Sequence, residues 1–340
     1  SGDAARALLE FWWQQGDDAQ PLYGFGGIDT RFLGDAYQDL SEYAKKTYAL
    51  LQTPEFVEEF ILDQTLEPAL ADRPLEGFTV IDPTCGSGHF LLGAFHRLHE
   101  RWQQHAPGLG ARELVAKALD GVYGVDINPF AVAIARFRLL VAALQTAGDT
   151  SIEENIGYRP HLAAGDSLLW GAPQQALDDD MLLLGTTVRA DATENAAALK
   201  EVLQRHHDVV VGNPPYITPK DAALNATYRQ LYRSCHGKYA LTIPFMELFF
   251  QLAHPSGHER PSGWIGQITS NSFMKREFGS KLIEEFFPSV DLQCVIDSEG
   301  AWIPGHNMDG TPTAIIFGRN RPPVAPTLRA VLSMGVRETP

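Results

Sequence analysis

The rhythm of apolar and polar positions changes near residue 70. Residues 1–20 are rich in Ala, Leu, Phe and Trp and predict a helix. Residues 21–35 are glycine-rich and irregular. Residues 36–52 turn helical again, ending near Thr53-Pro54. Residues 55–66 place apolar groups at helical spacing, with Pro54 suited to a first turn. Beyond residue 70, short apolar runs alternate with longer helical stretches. The runs fall at 78–81, 121–126, 161–164, 208–212, 264–268, 292–296 and 313–318, with helices predicted after the first two, to about His105 and over 129–145. Residues 171–200 hold an acidic cluster, Asp178-Asp179-Asp180, and an Ala-rich stretch, and are taken as an insertion plus a helix. Strands alternating with helices predict βαβ units, a mostly parallel sheet of about seven strands and helices on both faces. The expected division is an N-terminal helical element over 1–50, one α/β domain over 51–320 and a linker over 321–340.

Ligands in such sheets sit beyond the carboxyl ends of the strands, and four unusual segments fall there. Asp82-Pro83-Thr84-Cys85-Gly86-Ser87-Gly88-His89-Phe90 follows a strand and opens a helix. Its glycines permit a tight turn and close approach to a ligand, but the third glycine of a dinucleotide fingerprint is absent, so a plain glycine turn is the alternative. The second run ends in Asp126-Ile127-Asn128, where a carboxylate can take ribose hydroxyls or lie on the surface. Gly165-Asp166-Ser167 ends the third and, alone, is a turn. Asn213-Pro214-Pro215-Tyr216 ends the fourth and carries most information. An exocyclic amine conjugated to an aromatic ring is a poor nucleophile. An Asn side-chain oxygen and the Pro214 carbonyl can accept both its hydrogens, and the two prolines fix the backbone that aims them. Tyr216 can stack on a base drawn out of its duplex.

Together and in this order, these segments resemble the γ-class N6-adenine DNA methyltransferases. Further likeness to the adenine methyltransferases of BREX and phage-growth-limitation defence systems runs through 237–240, 267–277 and 303–313, with Asn307-Met308-Asp309 as a departure that lengthens one loop. The resemblance implies a doubly wound Rossmann-like fold, S-adenosyl-L-methionine as cofactor and DNA as substrate. It assigns Thr53 and the loop Asp82, Pro83, Thr84, Cys85, Gly86 and Gly88 to the cofactor's methionine part, and places Pro54 and Phe90 among the cofactor-binding residues. Asp126 goes to the ribose, Ile127 to the adenine ring, and Asp166 with Ser167 to the adenine amine. Asn213 also borders the cofactor; Asn213, Pro214, Pro215 and Tyr216 form the catalytic turn around the target adenine.

Charge narrows the reading. The net charge is −15, whereas a chain that grips DNA unaided is usually basic. The sequence-reading region is therefore expected elsewhere, in a C-terminal recognition domain or in partner proteins of a defence system. Basic groups near the catalytic turn, Lys220, Lys238, Lys275 and Arg276, with Asn271 and Phe273, form the candidate DNA contacts. Three widely spaced cysteines form no CxxC pair and fit a reducing cytoplasm. Eleven histidines show no H-x-x-x-H spacing, so no metal site is expected. No apolar run of 18 residues predicts a membrane span. Two rival functions remain at this point: methylation of protein glutamine or RNA, which shares the N-P-P-Y chemistry, and a non-catalytic cofactor-binding subunit of a defence complex, for which an intact Asn213 and Tyr216 have no use.

Overall fold

In a computed structural model, residues 30, 53–149, 157–172, 195–257, 260–298 and 312–332 are described. The helices expected at 1–20 and 36–52, the acidic cluster at 178–180 and the loop around Asn307-Met308-Asp309 lie outside them.

Among these residues, eight strands form one sheet. They are β1 (Val80–Asp82), β2 (Val122–Asp126), β3 (His161–Ala164), β4 (Val209–Gly212), β5 (Trp264–Ser270), β6 (Asp291–Asp297), β7 (Thr313–Arg319) and β8 (Arg329–Leu332). Their order is β3-β2-β1-β4-β5-β7-β6-β8, and every pairing is parallel except those of β7 with β5 and β6. All seven expected strands are present, shifted by at most two residues at an end. The eighth corrects the expected linker: Arg329–Leu332 pairs in parallel with β6. It was missed because its residues are largely exposed, so no run of buried apolar groups marks it.

Helices cover both faces. On one lie α1 (Glu55–Asp72), α2 (His89–His105), α3 (Ala111–Asp120) and α4 (Pro129–Ala147); on the other α5 (Ser167–Trp170), α6 (Ala196–Leu203), α7 (Ala222–Leu231) and α8 (Thr242–Leu252). The strands alternate between the two cores: Val80 and Val209 join the first, Ile81 and Val210 the second. The sequence dictates several boundaries. Asn128 caps α4, accepting from the Phe130 N–H, and Pro129 fills its first turn; Gly148, at φ 75°, closes it with N–H bonds to Leu144 and Gln145 carbonyls. Asp166, Asn195 and Asp221 cap α5, α6 and α7 through their side chains. By length and composition α4 resembles a membrane span, yet Val132, Ala135, Leu139, Ala142 and Ala143 bury one side of it in the α1–α4 core.

A buried clasp fixes the end of the sheet opposite the candidate site. Arg73, just past α1, places Nη1 2.5 Å from Asp208 Oδ1 and donates from Nη2 to the carbonyls of Pro261 and Ser262. Asp208 Oδ2 accepts from the Thr79 N–H at 2.9 Å. The start of β1, the start of β4 and the approach to β5 therefore share one ion pair. β1 and β4 are adjacent in the sheet but not in sequence, which makes the gap beyond their carboxyl ends the switch point where such folds bind ligands.

Candidate functional site

The turn after β1 is laced to its neighbours through backbone groups. The Cys85 N–H donates to the Val125 carbonyl (2.9 Å), and the Gly86 N–H to Asp126 Oδ2 (2.9 Å). Asp126 Oδ1 accepts from the Asn128 N–H at 2.8 Å. Ser167 Oγ donates to the Pro83 carbonyl at 2.7 Å, and the buried Arg138 of α4 donates to the Ser87 carbonyl at 2.7 Å. The ends of β1, β2 and β3 thus form one hydrogen-bonded rim. Gly86 (φ 52°) and Gly88 (φ 87°) adopt left-handed backbone, which glycine enters without cost. A Cβ on Gly86 would meet nothing within 4 Å, so that turn faces open space; one on Gly88 would sit 3.0 Å from Ala135 Cβ.

Asp82 closes the rim from beneath. Its Oδ1 accepts from the Thr84 N–H (2.8 Å) and Thr84 Oγ1 (3.1 Å). Burial pushes its carboxyl up to about 8, with Asp126 and Glu58 adding to the rise and the Thr84 bonds opposing it. Burial likewise raises Asp126. Gly212, the last residue of β4, has no room for a side chain: a Cβ there would lie 2.5 Å from Asp82 Oδ1, 2.9 Å from Thr84 Oγ1 and 3.0 Å from Phe249 Cζ. This contact brings the Asn213 turn against the Asp82 loop.

Asn213 Nδ2 donates to Thr53 Oγ1 at 3.2 Å, so residues 160 positions apart meet at the start of α1 and the end of β4. The bond holds the amide nitrogen toward Thr53 and turns the carbonyl oxygen the other way. Pro54 contributes through its carbonyl, which accepts from the Val57 and Glu58 N–H groups and starts α1. Burial holds the Tyr216 phenol well above its ordinary value, so it stays a neutral ring at any working pH. The Ile217 carbonyl accepts from the Leu241 N–H at 2.8 Å, tying the turn to the loop before α8.

Several expected residues occupy other roles. Phe90, in the first turn of α2, is 2% exposed and belongs to the α1–α4 core. Asn271 and Phe273, both 2% exposed, are not surface groups: Asn271 Nδ2 bonds Asp297 Oδ1 at 2.9 Å, and Phe273 packs edge-on to Phe287. Buried so, neither side chain presents a surface to DNA, contrary to expectation. Lys220, Lys238, Lys275 and Arg276 are exposed, and Ile127 is half-buried at the rim. Asp166 is more constrained than a free acceptor: Oδ1 takes the Leu168 and Leu169 N–H groups and Oδ2 takes the Tyr228 hydroxyl. Sequence reasoning missed Glu58, a buried carboxylate whose Oε1 would lie 2.5 Å from a Cβ on Gly93 of α2. Its signal was a carboxylate on the apolar stripe that also carries Ile61 and Leu62.

The sheet order, the antiparallel β7 and a glycine loop at the switch point define the class: a Rossmann-like methyltransferase fold, as expected. Solved structures agree. DrdV in complex with DNA matches 92% of this chain and 31% of its own with TM-score 0.66 at 15% identity. The Type ISP restriction-modification enzyme LlaGI with a DNA substrate mimic matches 91% and 26% with TM-score 0.60 at 16% identity. The chain belongs to the Eco57I restriction-modification methylase family, whose profile matches residues 120–301, more than half its length. The N-6 DNA Methylase profile matches residues 29–167. The adenine-specific methyltransferase PglX of Streptomyces coelicolor is 52% identical over 97% of this chain. Type II methyltransferase M.BstVI of Geobacillus stearothermophilus is 25% identical over 76%. The chain spans 29% and 40% of these two relatives' lengths. The expected resemblance to adenine methyltransferases, including those of the phage-growth-limitation type, is borne out.

Proposed function

We propose that this chain transfers a methyl group from S-adenosyl-L-methionine to the N6 amine of adenine in DNA, as the catalytic part of a longer phage-defence methyltransferase acting in the cytoplasm. The observation that carries the reading is the junction of Asn213 with Thr53 and of Gly212 with Asp82. It sets the Asn213 amide beside the glycine loop that follows β1, which supports a target amine held next to a bound cofactor.

The rim fits the cofactor. A left-handed glycine faces open space, and the acidic groups Asp82, Asp126 and Glu58 match a molecule carrying an ammonium and a sulfonium. Thr53 and residues 82–88 would hold its methionine part, Asp126 the ribose hydroxyls, Ile127 the adenine ring and Asp166 the adenine amine. When bound, it supplies a methyl group on a cationic sulfur.

The chain's own residues prepare the acceptor. The Asn213 carbonyl oxygen and the Pro214 carbonyl accept the two hydrogens of the target amine, concentrating electron density on nitrogen. Pro215 fixes the path to Tyr216, whose neutral ring stacks on the extruded base. Lys220, Lys238, Lys275 and Arg276 would meet phosphates. A Cβ on Gly237 would lie 4.0 Å from Phe278 Cβ, so the loop carrying Lys238 abuts the segment carrying Lys275 and Arg276. A recognition domain or partner proteins would read the sequence.

The test is transfer of labelled methyl from S-adenosyl-L-methionine to pooled DNA, RNA and protein. N6-methyladenine in DNA is expected; label in RNA or in protein glutamine overturns the substrate. Asn213→Ala should abolish transfer while leaving calorimetric cofactor affinity nearly unchanged, because it acts on the acceptor. Retained transfer removes Asn213 from the chemistry.

A further inference from the structure

The helix that follows the catalytic turn reaches back to the cofactor rim. α7 begins after its Asp221 cap, five residues beyond Tyr216, and carries Tyr228, which is 3% exposed. The Tyr228 hydroxyl donates to Asp166 Oδ2 at 2.5 Å. The other carboxylate oxygen is already held as the cap of α5, accepting from Leu168 N–H at 3.0 Å and Leu169 N–H at 3.3 Å. Two amides on one oxygen and a phenol on the other fix rotation about the carboxylate's bond to its chain, so the second lone pair of Oδ2 keeps one direction. Hydrogen bonds to a charged acceptor are short and strong, and this one is sealed from water.

We infer that Tyr228 is a positioning residue for recognition of the cofactor's base. It aims Asp166 so that the site accepts a 6-amino purine and rejects a 6-oxo purine. This rests on the reading above, in which Asp166 accepts the adenine amine. A hypoxanthine ring presents a carbonyl oxygen at that place, and an oxygen facing a fixed carboxylate is repelled. If the carboxylate can turn away, that rejection weakens.

Tyr232, one turn further on, supplies a matched control. It is also buried, and its hydroxyl donates at 2.7 Å to the Leu168 carbonyl of α5 rather than to Asp166. Tyr228→Phe and Tyr232→Phe therefore each remove one buried phenol bond from the same short helix, but only the first releases the carboxylate.

The measurement is the calorimetric affinity of the purified chain for S-adenosylhomocysteine and for S-inosylhomocysteine, with the melting temperature of each variant recorded. The adenosyl preference should fall by about fivefold or more in Tyr228→Phe, the scale of one hydrogen bond to a charged group, and stay at the wild-type ratio in Tyr232→Phe. An unchanged ratio in Tyr228→Phe alongside a lowered ratio in Asp166→Ala overturns the inference and leaves the role of Asp166 standing. Equal loss of preference in both tyrosine variants overturns it by showing a general loosening of α5. A wild-type ratio in Asp166→Ala removes Asp166 from base recognition and takes the inference with it.

Discussion

Gly212 shows how one missing side chain places two functional segments. Any Cβ at that position enters the Asp82 carboxylate and the Thr84 hydroxyl, and neither can retreat without breaking the Thr84 bonds that shape the loop. Gly212→Ala should cost about 1–3 kcal/mol by overpacking. It should also weaken cofactor affinity at least about tenfold, roughly 1.4 kcal/mol; calorimetry giving wild-type affinity would show that the two segments do not depend on each other. Asp82 makes a pH prediction. Its folded carboxyl titrates at about 8 against 3.8 unfolded, because burial disfavours the charge. The folded chain therefore binds more protons than the unfolded one between those values. Asp82's contribution to stability is fully present below about 4 and is lost as pH rises toward 8. A cationic ligand favours the ionised form, so cofactor binding at pH 7 should release protons. Binding heats that differ between phosphate and Tris would show the release; identical heats would count against Asp82 as a partner of the cation.

At the scale of elements, caps and clasps matter more than propensity. Asn128, Asp166 and Asp221 cap three helices through their side chains; of these helices only the one after Asn128 was expected from the sequence. The Arg73–Asp208 pair was not legible: nothing near either residue announces a partner 135 positions away. Asp208→Asn should destabilise the chain by about 3–5 kcal/mol in urea titration, because it leaves the Arg73 guanidinium buried without its counter-charge. A loss below about 1 kcal/mol would mean the pair behaves as a surface contact. The clasp lies at the amino ends of β1 and β4, so the variant should keep its cofactor affinity at temperatures where it stays folded.

For the whole molecule, a net charge of −15 and the exposed Lys220, Lys238, Lys275 and Arg276 proposed to meet phosphates pull in opposite directions. The exposed Arg229 and Arg233 also bond within the protein, to the Gly237 carbonyl and to Ser289 Oγ. Replacing both Lys275 and Arg276 by Ala should lower DNA affinity about equally for all sequences. It should also reduce the salt dependence of log K by roughly two, near 0.9 per phosphate contact. An unchanged slope in binding titrations across salt concentrations would place the phosphates elsewhere.

The sequence by itself determined the alternation of strands and helices, the positions of seven strands and the four strand-end segments. Those signals are local: apolar periodicity and a turn rich in Gly or Pro are written within a dozen positions. Only the tertiary structure decided which loops meet. It set Thr53 against Asn213 and Tyr228 against Asp166, buried Asn271 and Phe273, expected at a DNA surface, and Phe90, expected at the cofactor, and made 329–332 a strand. An edge strand with exposed side chains has no burial pattern to read, and a contact between distant residues is set by the order in which strands join the sheet. That order comes from packing two layers of helices against one sheet, which no single segment encodes.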